Sequence, residues 1–343
     1  MAQISLADGT PLSDFGKPYI VAEINTSHFG SVDTAKSMID KAKEVGCDCV
    51  KFQSWSPESL YSRNHYDENP IAKRIVTKFA FSKETLAELA AYSREQGVAF
   101  ASTPYARDEV DSLINDCGVP YIKVASMDLV NYPYLDYIGN KNVPIVLSTG
   151  MSDLDEIRQA VATIEKTGNK NICILHCVSI YPPENNNLAL NNIHGLREAF
   201  PNYPIGYSDH SLGIEMATAA VALGACLIEK HFTLDKSKIG MDNQMATEPE
   251  DMARMVEQCH NVHHALGSTQ RSINEDEIKQ RDIMRRSLVV TQDLAKGTTL
   301  TVDHLDAKRP GTEIPPGKID EVVGKTLARD VEADTLLRWE DFE

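Results

Sequence analysis

Eight short, apolar, β-branched runs punctuate roughly the first 265 residues: "YIVAEI" (19–24), "CVKFQS" (49–54), "AFASTP" (99–104), "YIKVAS" (121–126), "PIVLST" (144–149), "ICILHC" (172–177), "PIGYSD" (204–209) and "CLIEKHF" (226–232). Helical patterns fill the intervals. Val32, Ala35, Ile39, Ala42 and Val45 keep a 3.6-residue spacing up to Gly46, and Leu154, Ile157, Val161 and Ile164 do the same. The second of these helices is expected to start at Ser152, with Asp155 as its capping-box partner. A last helix, 249–266, follows the eighth run. Strands alternating with helices form a parallel sheet, and eight cycles in this length match a (β/α)8 TIM barrel. A doubly wound open sheet is the alternative. It uses fewer strands, and no G-x-G-x-x-G follows the first run.

The predicted catalytic domain spans 1–266. The polar stretch 267–285 reads as a linker, partly helical. Residues 286–343 change to short β-like pieces with Gly and Pro turns. In that tail "DLAKGTTLTVDHL" (293–305) is echoed by "DVEADTLLRWEDF" (330–342), which predicts a small pseudo-symmetric β-rich module.

With 343 residues, 42% hydrophobic and 24% charged, the chain has material for a large core and roughly two domains. A net charge of −16 without a basic stripe excludes a general nucleic-acid binder, so an anionic substrate needs a local cluster of positive groups. The seven cysteines, an odd number set mostly in apolar runs, read as buried free thiols rather than a disulfide framework. "CDC" (47–49) and "CILHC" (173–177) are read as core cysteines rather than metal pairs. No apolar segment reaches the ~18 residues of a membrane span, and "MAQISLADGTPL" lacks a secretory pattern. The expected location is cytoplasmic, with no membrane partner.

A barrel places its chemistry at the carboxyl ends of its strands. Polar residues gather there: Glu23, Lys51 with Gln53, Thr103, Lys123 with Ser126, Ser148 with Thr149, His176, Ser208 to His210, and Glu229 to His231. Alternate residues of a strand share a face, so Glu229 and His231 point together while Lys230 points away.

His210 and His231 end consecutive strands, 21 residues apart, and two neutral imidazoles suit a divalent metal with positions left open for water and substrate. Asp242 is a candidate for a direct or water-mediated contact. Lys51 and Lys123, with Thr103, Ser126, Ser148 and Ser208 around the rim, form a candidate phosphate or carboxylate cradle. A lysine in a run as apolar as "YIKVAS" is costly unless paired. Glu23 and Glu229 are acid–base groups or orienters of the histidines.

At these residues the chain resembles the sialic acid synthase family, which includes the N-acetylneuraminate, legionaminate and pseudaminate synthases. The resemblance runs nearly end to end through "AEINTSHFG", "VKFQSW", "STPYARDEVDSL", "YIKVASMDLVNYPYL", "LSTGM", "LHCVSIYPP", "GYSDHSLG", "EKHFT" and "KRPGTEIPP". It implies a TIM barrel with an appended SAF (antifreeze-like) domain, a homodimer, a divalent metal (Mn2+ commonly, Mg2+ or Co2+ as alternatives) and phosphoenolpyruvate as co-substrate. His210 and His231 match the family's metal ligands. Lys51, Thr103, Lys123, Ser126, Ser148 and Ser208 match its phosphoenolpyruvate-binding set. Glu23 and Asp242 match acidic active-site positions, and Tyr181 a sugar contact. Arg309 matches an arginine that reaches from the SAF domain into the partner's barrel, which implies a swapped dimer with Arg309 in trans. The chain departs from the family where it reads "EINTSHFG" for "EIGxNHxG", Ser179 for Asn before "IYP", and "KIGMDNQMA" for "GPDxxxS". All three departures fall beside the sugar.

The resemblance implies condensation of phosphoenolpyruvate with an N-acylated hexosamine such as N-acetylmannosamine, giving a nine-carbon 2-keto-3-deoxy acid and phosphate. A legionaminate- or pseudaminate-type synthase, or another ulosonate synthase, is the near alternative. A Schiff-base aldolase using Lys123 or Lys230, and a non-catalytic carbohydrate-binding scaffold, are the distant ones.

Overall fold

The structure, a computed structural model, describes residues 1–343. The chain divides into two compact units, Met1–Gly267 and Ser268–Glu343.

The first unit opens with an antiparallel hairpin, β1 (Gln3–Ser5) and β2 (Pro11–Ser13). Eight parallel strands follow: β3 (Tyr19–Glu23), β4 (Cys49–Gln53), β5 (Ala99–Thr103), β6 (Ile122–Val124), β7 (Ile145–Ser148), β8 (Ile172–Cys177), β9 (Ile205–Asp209) and β10 (Leu227–His231). Each lies within one of the eight apolar runs. The first and last barrel strands are laddered together, from Tyr19 opposite Leu227 to Glu23 opposite His231, which rolls the sheet into a barrel. The two strands at the ends of the hydrogen-bonded order, β5 and β6, lie side by side without a ladder.

The two-residue period of the strands sorts the side chains. Val21, Cys49, Ala101, Tyr121, Val146, Leu175 and Leu227 face inward and form one cluster with Ile4, Leu6 and Leu12 of the opening hairpin. That hairpin closes the end of the barrel opposite the catalytic face; the N–H of Ala7 bonds the Pro120 carbonyl just before β6. The alternate residues, among them Ile20, Val50, Phe100, Ile122, Ile145, Ile174, Ile205 and Ile228, face outward against the helices. Gly206 points inward where a methyl group would stand 2.5 Å from Leu175 Cδ2 and 2.8 Å from the Leu227 carbonyl. The barrel interior is thus packed solid below the mouth.

The helix Val32–Glu44 forms as its spacing predicts and turns out through Gly46 at φ +88°. The helix expected from Ser152 starts later, at Leu154. Asp153, not Ser152, is its cap: its carboxylate accepts from the N–H groups of Asp155 and Glu156, and Glu156 returns a bond to the Asp153 N–H at 2.9 Å. A carboxylate takes two orphan donors where a hydroxyl takes one, and Glu156 reaches back where Asp155 is too short. All seven cysteines are buried and free. No helix is long and apolar enough to cross a membrane.

In the second unit a helix, Glu275–Met284, is capped by Asn274. An antiparallel pair follows, β11 (Ser287–Val290) with β12 (Leu305–Lys308), around a core of Leu288, Val290, Leu300, Ile314, Leu327 and Leu337. The sequence echo is also a structural one. Leu294 and Val331, equivalent in the two copies, exchange both backbone hydrogen bonds at 2.8 Å. Asp330 accepts from the Lys296 N–H as Asp293 accepts from that of Ala333, both at 2.7 Å.

Candidate active site

Above the apolar layers the inward-facing positions turn polar, and a cavity of about 350 Å³ opens at the carboxyl ends of the strands. That volume suits a small-molecule site. Its floor is a buried network of opposite charges. Lys51 is ion-paired with Glu23 and donates to Thr103 Oγ1 at 3.0 Å. Lys123 donates to Ser148 Oγ at 2.7 Å. Glu229 lies between the two ammonium groups, 3.7 Å from each, and accepts from Ser208 Oγ at 3.0 Å. Its other oxygen makes no hydrogen bond.

The two lysines differ electrostatically. Burial draws Lys51 down, but Glu229 and Glu23 outweigh it and hold the ammonium above its ordinary value. Burial draws Lys123 down as well, and there Glu229 does not make up the loss. Burial raises Glu229, but Lys123 and Lys51 overcome it and keep that carboxyl below the usual range. Glu23 is raised by burial despite Lys51.

Over this floor stand His210 and His231, with ring centroids 5.4 Å apart, and Tyr181 against His210 at 4.2 Å. His210 Nδ1 lies 2.8 Å from the Val178 carbonyl, which can only accept, so Nδ1 carries a proton and Nε2 is the nitrogen left for a ligand. Burial draws this imidazole down, but Cys177 and the Val178 carbonyl outweigh it and hold it above its ordinary value. Burial, with His210 and nearby lysines adding to it, pushes His231 well below its ordinary value and keeps it neutral. Two facing imidazoles, His231 neutral and His210 with its Nδ1 pinned by a backbone carbonyl, are a donor set that fits a divalent metal, whose binding takes the place of any proton on His210 Nε2. No group of three His, Cys, Asp or Glu side chains comes together around them, so the fit is that of a two-histidine site with open positions. Asp242 reaches the same cavity, where Asn25 Nδ2 donates to it at 2.5 Å.

Eleven of the twelve expected site residues thus line one cavity, and Arg309 lies in the second unit, exposed. Three strand-end groups expected at the mouth do not line it, namely Thr149, His176 and Asp209, while Lys230 points away as its parity predicts. Thr149 Oγ1 donates instead to the Leu175 carbonyl at 2.8 Å. His176 faces the helix layer, stacked on Tyr207, with Nε2 bonded to the Leu188 carbonyl at 2.7 Å. Asp209 and Lys230 face outward too, joined at 2.7 Å. Their positions alternate with Cys177, Ser208 and His231, so strand parity decides the matter. The Schiff-base alternative therefore loses Lys230, which has no access to the cavity. The structure adds Tyr105, whose hydroxyl donates to Gln53 Oε1 at 2.7 Å, and Trp55, whose buried N–H has no partner. Both lie beyond the strand ends, where parity gives no guidance.

A barrel that gathers two ammonium groups, two carboxylates and two imidazoles at one mouth, above an interior already packed solid, is a catalytic barrel. Residues 38–271 match the NeuB family and residues 285–343 the SAF domain. The chain is 36% identical to an N,N'-diacetyllegionaminic acid synthase of Legionella pneumophila, over 95% of this chain and 94% of that one. It is also 36% identical to the human N-acetylneuraminate-9-phosphate synthase, over 94% and 92% of the two chains. Its structure is similar to that of an N-acetylneuraminic acid (sialic acid) synthetase from Leptospira borgpetersenii, with a TM-score of 0.74 and 30% identity over 81% of this chain and 94% of that one. The chain belongs to the NeuB family and is a synthase of the sialic acid type. Enzymes of this type are generally metal-dependent.

Proposed function

We propose that the protein condenses phosphoenolpyruvate with the open-chain aldehyde of an N-acylated hexosamine, such as N-acetylmannosamine or a diacetamido relative, to a nine-carbon 2-keto-3-deoxy acid and phosphate. The observation that carries this reading is the pair of buried lysines, each with a hydroxyl beside it, under two imidazoles in one cavity. Lys51 and Lys123 hold the phosphate and carboxylate of phosphoenolpyruvate, with Thr103, Ser126, Ser148 and Ser208 donating to the same oxygens. Those negative groups take over part of the role that Glu23 and Glu229 fill in the free protein. Tyr181 and Asp242 face the acceptor sugar above them.

The reaction joins C3 of phosphoenolpyruvate to the aldehyde carbon, whose oxygen gains a proton. Water adds at C2, the bond between C2 and the phosphate oxygen breaks, and C2 is left as a ketone. Glu23, its carboxyl raised by burial, orients that water and accepts a proton from it. The lysines offset the charge that gathers on the departing phosphate. His210 and His231 would hold a divalent metal, Mn2+ in this reading, which when bound would supply Lewis acidity toward the aldehyde. The protein acts in the cytoplasm as a homodimer, with Arg309 of one subunit completing the sugar site of its partner.

The test is phosphate release from phosphoenolpyruvate with a panel of N-acyl sugars. Release should depend on the sugar and cease on chelation. Sugar-independent release, or a product trapped on the protein by borohydride, would contradict the reading.

A further inference from the structure

Asn25 follows the first barrel strand at φ +45°, in the left-handed region that asparagine tolerates better than other residues bearing a side chain. The turn folds its backbone N–H onto Glu23 Oε1 at 2.9 Å and sends its side chain across the mouth, where Nδ2 donates to Asp242 Oδ2 at 2.5 Å. One residue on the first strand-to-helix loop thus ties the carboxylate that ends the first barrel strand to one on the eighth loop, 217 positions away for the side-chain bond. The amide is oriented by that bond, because an ionised carboxylate only accepts.

Oδ1 is consequently turned away from Asp242. It is buried and has no hydrogen-bond partner, although the residue is only 4% exposed and lines the cavity. Buried carbonyl oxygens are seldom left unpaired, since each forfeits its bond to water. Half of this amide is committed to the protein, and the other half stays buried and unpaired in a residue that lines the cavity beside Asp242 and Tyr181. We infer that Asn25 is a specificity-determining residue for the acceptor: Nδ2 fixes Asp242, and Oδ1 takes a hydrogen bond from a hydroxyl or amide N–H of the sugar. The inference rests on the proposed condensation. It adds a selection rule, because a sugar with an ether, a hydrogen or an esterified oxygen at that position has no proton to give and leaves Oδ1 unpaired.

The test is a binding cycle that needs no turnover. Calorimetry measures N-acetylmannosamine and its 4-acetamido-4,6-dideoxy analogue on the wild type. The tighter of the two is then compared with analogues that each lack one hydrogen-bond donor, on the wild type and on Asn25→Gly. Glycine adopts φ +45° freely and keeps the backbone bond to Glu23, so the fold is retained. In the wild type one particular deletion should weaken binding by about tenfold or more; in Asn25→Gly the same deletion should cost nothing, with phosphoenolpyruvate affinity alike in both. Equal costs in both proteins for every deletion would overturn the role of Asn25 and leave the proposed function standing. Failure of both sugars to bind the wild type would overturn both.

Discussion

Lys51 and Lys123 sit in one buried network and depart from their ordinary titration in opposite directions, because Lys51 has Glu23 as well as Glu229 beside it. Removing either charge opposite a dianion should raise KM for phosphoenolpyruvate. For Lys51→Met and Lys123→Met the loss of a charged hydrogen bond is worth about 1.5–3 kcal/mol, roughly 10- to 150-fold. KM for the sugar should move little; steady-state kinetics in both substrates decides. The sign of the pH effect follows from Lys123. Its value is lowered in the fold, so its ammonium is lost as pH rises through a point below the ordinary lysine range. Phosphoenolpyruvate affinity should therefore fall on the alkaline side in the wild type, and Lys123→Arg, which stays charged, should lack that limb. An identical pH profile for the two proteins would place the titration elsewhere.

At the level of strands, each one serves two faces. Where β9 and β10 end, Ser208, His210, Glu229 and His231 face the cavity, while Asp209 and Lys230 lock the two strands together behind it. Asp209 also accepts from the N–H and hydroxyl of Ser211 at 2.9 and 2.7 Å, and Lys230 donates to the Ser211 carbonyl at 2.8 Å. This buried pair holds the backbone from which both histidines project. Lys230→Met strands a buried carboxylate and should cost about 3–5 kcal/mol, while the double change Lys230→Met with Asp209→Asn, which removes the charge and keeps an acceptor for Ser211, should recover part of it; denaturant unfolding measures both. The strands and their order were legible in the sequence because β-branched runs at regular intervals leave few folds open. So was most of the mouth, since strand-end polar residues converge in a barrel. His176 ends a strand and still misses the mouth, because it alternates with the inward-facing Cys177. Tyr105 and Trp55 are not legible in the sequence as site residues because loop residues have no period, and the Asn25–Asp242 bond joins positions that nothing local in the sequence relates.

At the scale of the whole molecule, the proposed homodimer has the SAF domain of one subunit serving the barrel of the other. A subunit carrying His210→Ala mixed with one carrying Arg309→Ala should regain activity, because one barrel in the heterodimer then has both its histidines and an intact arginine from its partner. Verified heterodimers that stay as inactive as each parent would remove the trans arrangement without touching the chemistry. The chemistry itself is tested most directly by the fate of one oxygen atom. Phosphoenolpyruvate labelled with heavy oxygen in the bridge between C2 and phosphorus, incubated with the protein and an N-acyl hexosamine, should deliver the label into the released phosphate, because water adds at C2 and the C2–O bond breaks. Label found in the keto acid instead, with unlabelled phosphate, would mean attack at phosphorus, and would contradict condensation at this site.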